Sequence, residues 1–265
     1  MKQLYEIVNY TSQIAYLFGN IVEYDLEKAN ISSLLYNEVI DEEMYNSLKN
    51  VDKFTREKTI GLMIRDNAEI YTKIQNGIIT AKKLFFEINA IQKDYVIAIN
   101  NDAIILYINK PIIQQVHPLF NFKIDGQYTT YLSFPNNTQF FYNNTTNIVT
   151  VKGISQEKLE LHSDYFISFI IEILYLIENT TITEAIKYYN EFEEGYRNRF
   201  LPIEYYREFN SGSAYNITVP NRVYYLDSIA EKDKEYLSIY YNYYIIRLIG
   251  NMLYQLYFQT NKIHW

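Results

Sequence analysis

Residues 20–31, Asn-Ile-Val-Glu-Tyr-Asp-Leu-Glu-Lys-Ala-Asn-Ile, constrain the chain more than any other stretch. Ile21-Val22-Glu23-Tyr24 is apolar and rich in β-favouring side chains, and it ends in the carboxylate Asp25. From Ala29 the period changes: Ala29, Ile31, Leu34 and Leu35 fall near one face of a helix. A strand that delivers an acid at its end and passes into a helix is a place to hold a metal ion.

The ion such a site could take is bounded by what the chain lacks. There is no cysteine, so disulfides and thiolate ligands are excluded. The three histidines, His117, His162 and His264, do not have zinc-ligand spacing. A metal would be held by carboxylate oxygens, which suits Mg²⁺ or Mn²⁺. The 29 tyrosines, with many Asn and Ile, follow AT-rich codon usage and suggest an AT-rich bacterium or its phage.

A second acid-bearing feature follows downstream. In residues 95–108, two β-rich runs flank Asn100-Asn101-Asp102, the signature of a hairpin with Asp102 at its tip. The first run is apolar nearly throughout and reads as a central strand covered on both faces. Between the two acids, residues 55–90 predict one long helix or two with a break near Asn76-Gly77. Lys58, Arg65 and Lys73 would form one basic stripe on it. Residues 51–93 carry eight basic side chains against five acidic ones, in a chain whose net charge is −7. Such a segment is either a phosphate-binding surface or a solvated helix face.

The rest of the chain gives the architecture. Residues 1–18 predict an amphipathic helix stopped by Gly19-Asn20, and Asp41-Glu42-Glu43 opens a short helix. Residues 112–153 predict short strands with turns at Gly126-Gln127, Pro135-Asn136-Asn137 and 143–147. Helices are expected at about 155–178, 182–200 and 229–259, the later two opening at Thr183-Glu184 and Asp227-Ser228. The expected fold is α+β: an antiparallel sheet with flanking helices over 1–153, then a mainly helical half over 154–265. Neither a signal peptide nor a membrane span is expected, and the expected location is cytoplasmic, that of the host for a phage protein.

Taken together, Glu23-Tyr24-Asp25-Leu26-Glu27-Lys28-Ala29-Asn30 resembles the first motif of the palm of template-dependent nucleic-acid polymerases. Asn100-Asn101-Asp102-Ala103 resembles the third palm motif. Arg65-Asp66-Asn67-Ala68, followed by Lys73 and Gly77, resembles the fingers helix of phage family A DNA polymerases. The resemblance covers roughly residues 20–110. It implies Asp25 and Asp102 as catalytic metal ligands, with the Leu26 carbonyl as a third contact. Lys58, Arg65 and Lys73 become contacts for a nucleoside triphosphate. The sequence departs from the pattern in its fingers spacing, and its hairpin carries one acid in place of a pair. Arg197, Arg199 and Arg207, with Tyr205 and Tyr206, could grip a nucleic-acid backbone or pair with nearby glutamates.

The implied function is polymerase-like nucleotidyl transfer using two divalent ions. The alternative is a non-catalytic interaction or virion-associated structural protein, including a palm that has lost catalysis, with a homo-oligomer or a partner subunit covering its Tyr- and Ile-rich faces. A metal-dependent nuclease is a third reading.

Overall fold

The computed structural model describes residues 3–134, 138–154, 159–160, 164–206 and 239–261. The fold is α+β, with an antiparallel sheet, flanking helices and a largely helical C-terminal part. It divides into two compact units. The first holds residues 1–14 and 19–128, and the second residues 15–18 and 129–265.

In the first unit, β1 (Asn9–Thr11), β3 (Val96–Asn100), β4 (Ala103–Tyr107) and β2 (Tyr16–Leu26) lie side by side in that order. Next to β2 runs β6 (Phe120–Ser133), which carries the short β5 (Gln115–His117). Val22, Tyr24 and Leu26 point to one face of β2 because side chains alternate along a strand. They join Ile99, Ile104 and Leu106 in one core with Ile31, Leu34, Ile74, Ile78 and Phe85 from the helices. Those last residues come from α1 (Ala29–Tyr36) and α4 (Glu69–Ile88). Burying a side chain of this size contributes about 1.5–3 kcal/mol.

Between them come α2 (Glu42–Asn50) and α3 (Lys53–Asp66). Asp41 caps α2 by accepting from the Met44 amide, and Asp52 caps α3 by accepting from the Thr55 amide.

Two expectations about helices are corrected in this unit, and the expected turn at Gly126-Gln127 is instead part of the continuous strand β6. Residues 1–18 do not form a helix. Leu4–Glu6 makes a single 3₁₀ turn, Asn9–Thr11 pairs with β3, and Tyr16 already opens β2. The open edge of β3 takes this segment, since Tyr10 lies opposite Ile99 and the Ser12 amide donates to the Ile97 carbonyl. Pairing with an apolar strand outweighs local helix propensity.

The second correction concerns the break in the long helical region, which falls at Asn67-Ala68, with no break at Gly77. Asn67 is extended and its side chain accepts from the Glu69 amide. Gly77 lies inside α4 where a Cβ would collide with Ser33 of α1. The glycine permits close helix crossing, and that need is silent in a local pattern.

In the second unit, the end of β6 pairs with β7 (Gln139–Asn143), which pairs with β8 (Ile148–Lys152). Among the described residues the α-helices that follow are α5 (Phe166–Asn179), α6 (Ile182–Arg197) and α7 (Ile239–Asn261). Thr181 caps α6 by accepting from the Glu184 amide, two residues before the expected Thr183. The core is aromatic: Phe140, Tyr142, Phe166, Phe169, Phe192, Tyr196 and Tyr206 are all buried. Phe169 stacks on Phe192 with ring centroids 3.6 Å apart and planes 11° apart. The expected turn at 135–137 and helix start at 227–228 lie outside the described residues.

Candidate functional site

The acid-bearing elements meet by strand pairing. β2 and β4 are antiparallel with Asp25 opposite Ala103, and the Leu26 amide donates to the Asp102 carbonyl at 3.3 Å. The last residues of β2 therefore lie beside the β3–β4 turn. Asn101 takes the left-handed conformation there, with φ +52°. Asp25 does not cap α1: the cap position is Lys28, and no side chain bonds the first turn.

The two acids line one cleft of about 280 Å³. Its cationic walls are Lys28, Lys53, Arg56 and Lys123. The Lys123 Nζ sits 2.9 Å from Asp125 Oδ1 and 3.9 Å from Asp25 Oδ2. At the rim, Asn30 donates to Glu57 at 2.9 Å and Asn121 donates to Glu27 at 2.6 Å.

Burial decides the electrostatics. Partial desolvation, with the Asp102 charge second, pushes the Asp25 carboxyl up to about 6, against the opposing pull of Lys123. Desolvation also raises Asp102, opposed by Lys82 and Lys53. Lys82, on α4, is buried, and its ammonium donates to the Ile7 carbonyl at 2.8 Å. Burial brings it down to about 8, against the attraction of Asp102. Along β2, Glu23 shares the Asp25 side of the strand; it is buried and accepts from the Tyr128 hydroxyl at 3.1 Å.

Asp25, Leu26 and Asp102 line one cleft. Lys58, Arg65 and Lys73 are not among the cleft's lining residues. All three are exposed, and Arg65 pairs with Asp66 at 3.1 Å. The cations that do line the cleft were passed over because Lys53 and Arg56 stand at the start of α3, off the stripe. Lys123 comes from β6, remote in sequence. A visible signal for the first two is their place directly after the capping acid Asp52.

In the second unit Arg197 is exposed in the last turn of α6, and Arg199 is half-buried with φ +64°. Arg207, His162 and His264 lie outside the described residues. His117 packs its ring against Tyr36 and Phe120 and accepts from the Leu119 amide.

Among the described residues no group of three or more His, Asp or Glu side chains converges as a metal cluster. The oxygen donors that line the cleft are the carboxylates of Asp25, Glu27, Glu57 and Asp102 and the backbone carbonyls beside them. These are hard oxygen donors of the kind Mg²⁺ and Mn²⁺ take, in a place where two partly desolvated acids repel.

With this geometry in place, comparison with known families is informative. A model of the bacteriophage PBS1 gene 130 protein family matches residues 1–254. The chain belongs to that family. It is a phage protein, in keeping with the AT-rich composition. No curated protein matches it. Among the described residues no helix is long and apolar enough to cross a membrane.

Proposed function

We propose that this PBS1 gene 130 family member is a polymerase-like nucleotidyltransferase whose reaction centre is the Asp25–Asp102 cleft. One observation carries the reading: two acids from separate elements, 77 positions apart in sequence, line a single cleft together with the cations Lys28, Lys53, Arg56 and Lys123 and the further acids Glu27 and Glu57. Phosphoryl-transfer sites need that pairing of acids with cations. Divalent ions bound at Asp25 and Asp102 would supply Lewis-acid polarisation of phosphate oxygens.

The remaining work belongs to the chain. Lys53 and Arg56 present charge to a triphosphate from the start of α3. Lys123 balances Asp25 and is itself held by Asp125. In the reaction a primer 3′-hydroxyl oxygen bonds to the α-phosphorus, the α–β bridging bond breaks, and pyrophosphate leaves. The hydroxyl proton passes to solvent or to a cleft carboxylate.

The test is calorimetric Mn²⁺ binding with and without a nucleoside triphosphate, for wild type, Asp25→Ala and Asp102→Ala. Binding that requires both acids and tightens with the triphosphate supports the reading. Absence of binding in both conditions overturns it in favour of a palm-like fold without catalysis, the reading favoured by the lack of a three-acid cluster among the described residues.

A further inference from the structure

The helix α3 has a side that neither the core nor the cleft uses. Of its fourteen residues only Ile60 is buried. Lys53, Arg56 and Glu57 line the cleft. At 100° per residue, Phe54, Lys58, Leu62 and Arg65 fall within an arc of about 80° on another side. All four are exposed. Phe54 keeps 78% of its surface in water and Leu62 keeps 43%. Arg65 is 71% exposed, and its ion pair with the equally open Asp66 is of the weak surface kind. Gly61, on the same side, has open space where a Cβ would stand, so nothing crowds the stripe.

From this geometry we infer that the exposed stripe Phe54–Lys58–Arg65 of α3 binds single-stranded nucleic acid, with Phe54 stacking on a base and the two cations on flanking phosphates. The order of chemistries decides the class of partner. Phe54 and Leu62 are separated by about 12 Å along the helix axis with Lys58 between them. Protein interfaces place a contiguous apolar centre within a polar rim and are poor in lysine at that centre. A surface that sets one aromatic ring beside cations suits a strand that carries bases beside phosphates. Charge agrees: the chain is acidic overall, and its positive excess is concentrated in residues 51–93 around this helix. The inference rests on α3 alone and stands apart from the catalytic reading.

Fluorescence anisotropy of a labelled oligothymidylate at low ionic strength tests it on the full-length protein. Phe54→Ala should weaken binding by about ten-fold or more, the loss expected for one base–aromatic stack. Lys58→Ala should lower the slope of log affinity against log salt by about 1. Phe54→Trp should keep the affinity, and its added indole should be quenched as the strand binds. Phe54 lies open to solvent, so these variants should fold as wild type does. Undetectable binding, or equal affinity of wild type and Phe54→Ala, overturns the proposal. It is also overturned if Phe54→Ala abolishes self-association or a protein contact and leaves the oligonucleotide affinity untouched. A protein that binds the strand but no Mn²⁺ would retain this inference and lose the catalytic one.

Discussion

The two units solve the same packing problem with different chemistry. The second fills its core with stacked rings, and two of its buried tyrosines find hydroxyl partners within it. Tyr206 donates to the Tyr196 carbonyl at 2.9 Å, and Tyr142 donates to Asn147 at 2.8 Å. Its buried polar residues among those described are Thr130, Thr138, Gln139 and Asn242, and none is charged. The first unit is built from aliphatic side chains over a sheet, yet it buries Glu23 and Lys82 and partly buries Asp25 and Asp102. Desolvated charge costs stability unless paired. A unit able to pack on isoleucine and phenylalanine does not need these groups for its core. Their placement in one region is therefore best explained by work done there.

Four measurements sharpen or break this contrast. The largest effect belongs to the aromatic core: Phe169→Ala should cost about 3–5 kcal/mol in urea unfolding, because the ring leaves a cavity opposite Phe192. Its cost should not vary with pH, as no ionisable group is involved in the stack.

Next is Lys82. Lys82→Ala removes a buried stem and the donor to the Ile7 carbonyl, and should cost about 2–4 kcal/mol. Lys82→Met keeps the stem and should cost less. The sign of the pH effect follows from the lowered folded-state value. Between about 8 and the ordinary 10.5 the unfolded chain binds more protons, so wild-type stability rises with pH across that window and is flat below it. The methionine variant should lack this rise.

Asp25 should behave oppositely to a core residue. Its folded value, raised from 3.8 to about 6, means that the folded state holds the proton more tightly. Stability therefore falls as pH rises from about 4 to 6 and stays lower above. Asp25→Asn should gain about 1–2 kcal/mol at neutral pH, allowing for solvent screening, and nothing at pH values below the unfolded pKa. Thermal melts of both proteins across that range check it. A destabilised asparagine variant would show Asp25 to be a structural partner and would break the contrast between the units.

The smallest effect is that of Lys123→Ala. This half-exposed cation should change stability by less than about 1 kcal/mol, and the change should fade in high salt. Comparing melts at low and high ionic strength reads it directly.

Much of the site was legible because its parts are local. The change from strand to helical period at residues 21–35 places Asp25 at the end of β2, and the Asn-Asn-Asp tip between two apolar runs marks the hairpin. The helix start at Asp41 follows from side-chain capping within three residues. What misled was equally physical. A helical stripe of cations reports which residues share a face, but nothing in the stripe says whether that face meets a cleft. Lys58, Arg65 and Lys73 share exposure, while Lys53 and Arg56 line the cleft that the acids line.

By itself, the sequence determined the α+β class, the exclusion of thiolate chemistry, and the strand end and hairpin tip on which Asp25 and Asp102 stand. All of these depend on periodicity and on side-chain type. Only the tertiary structure decided that residues 9–11 join the sheet edge, that Gly77 serves a helix crossing, and that Lys123 from β6 faces Asp25. Each of these depends on a partner distant in sequence. An edge strand takes whatever segment completes its hydrogen bonds, and a cleft takes its charges from whichever elements the sheet brings side by side. Neither leaves a trace in the local pattern.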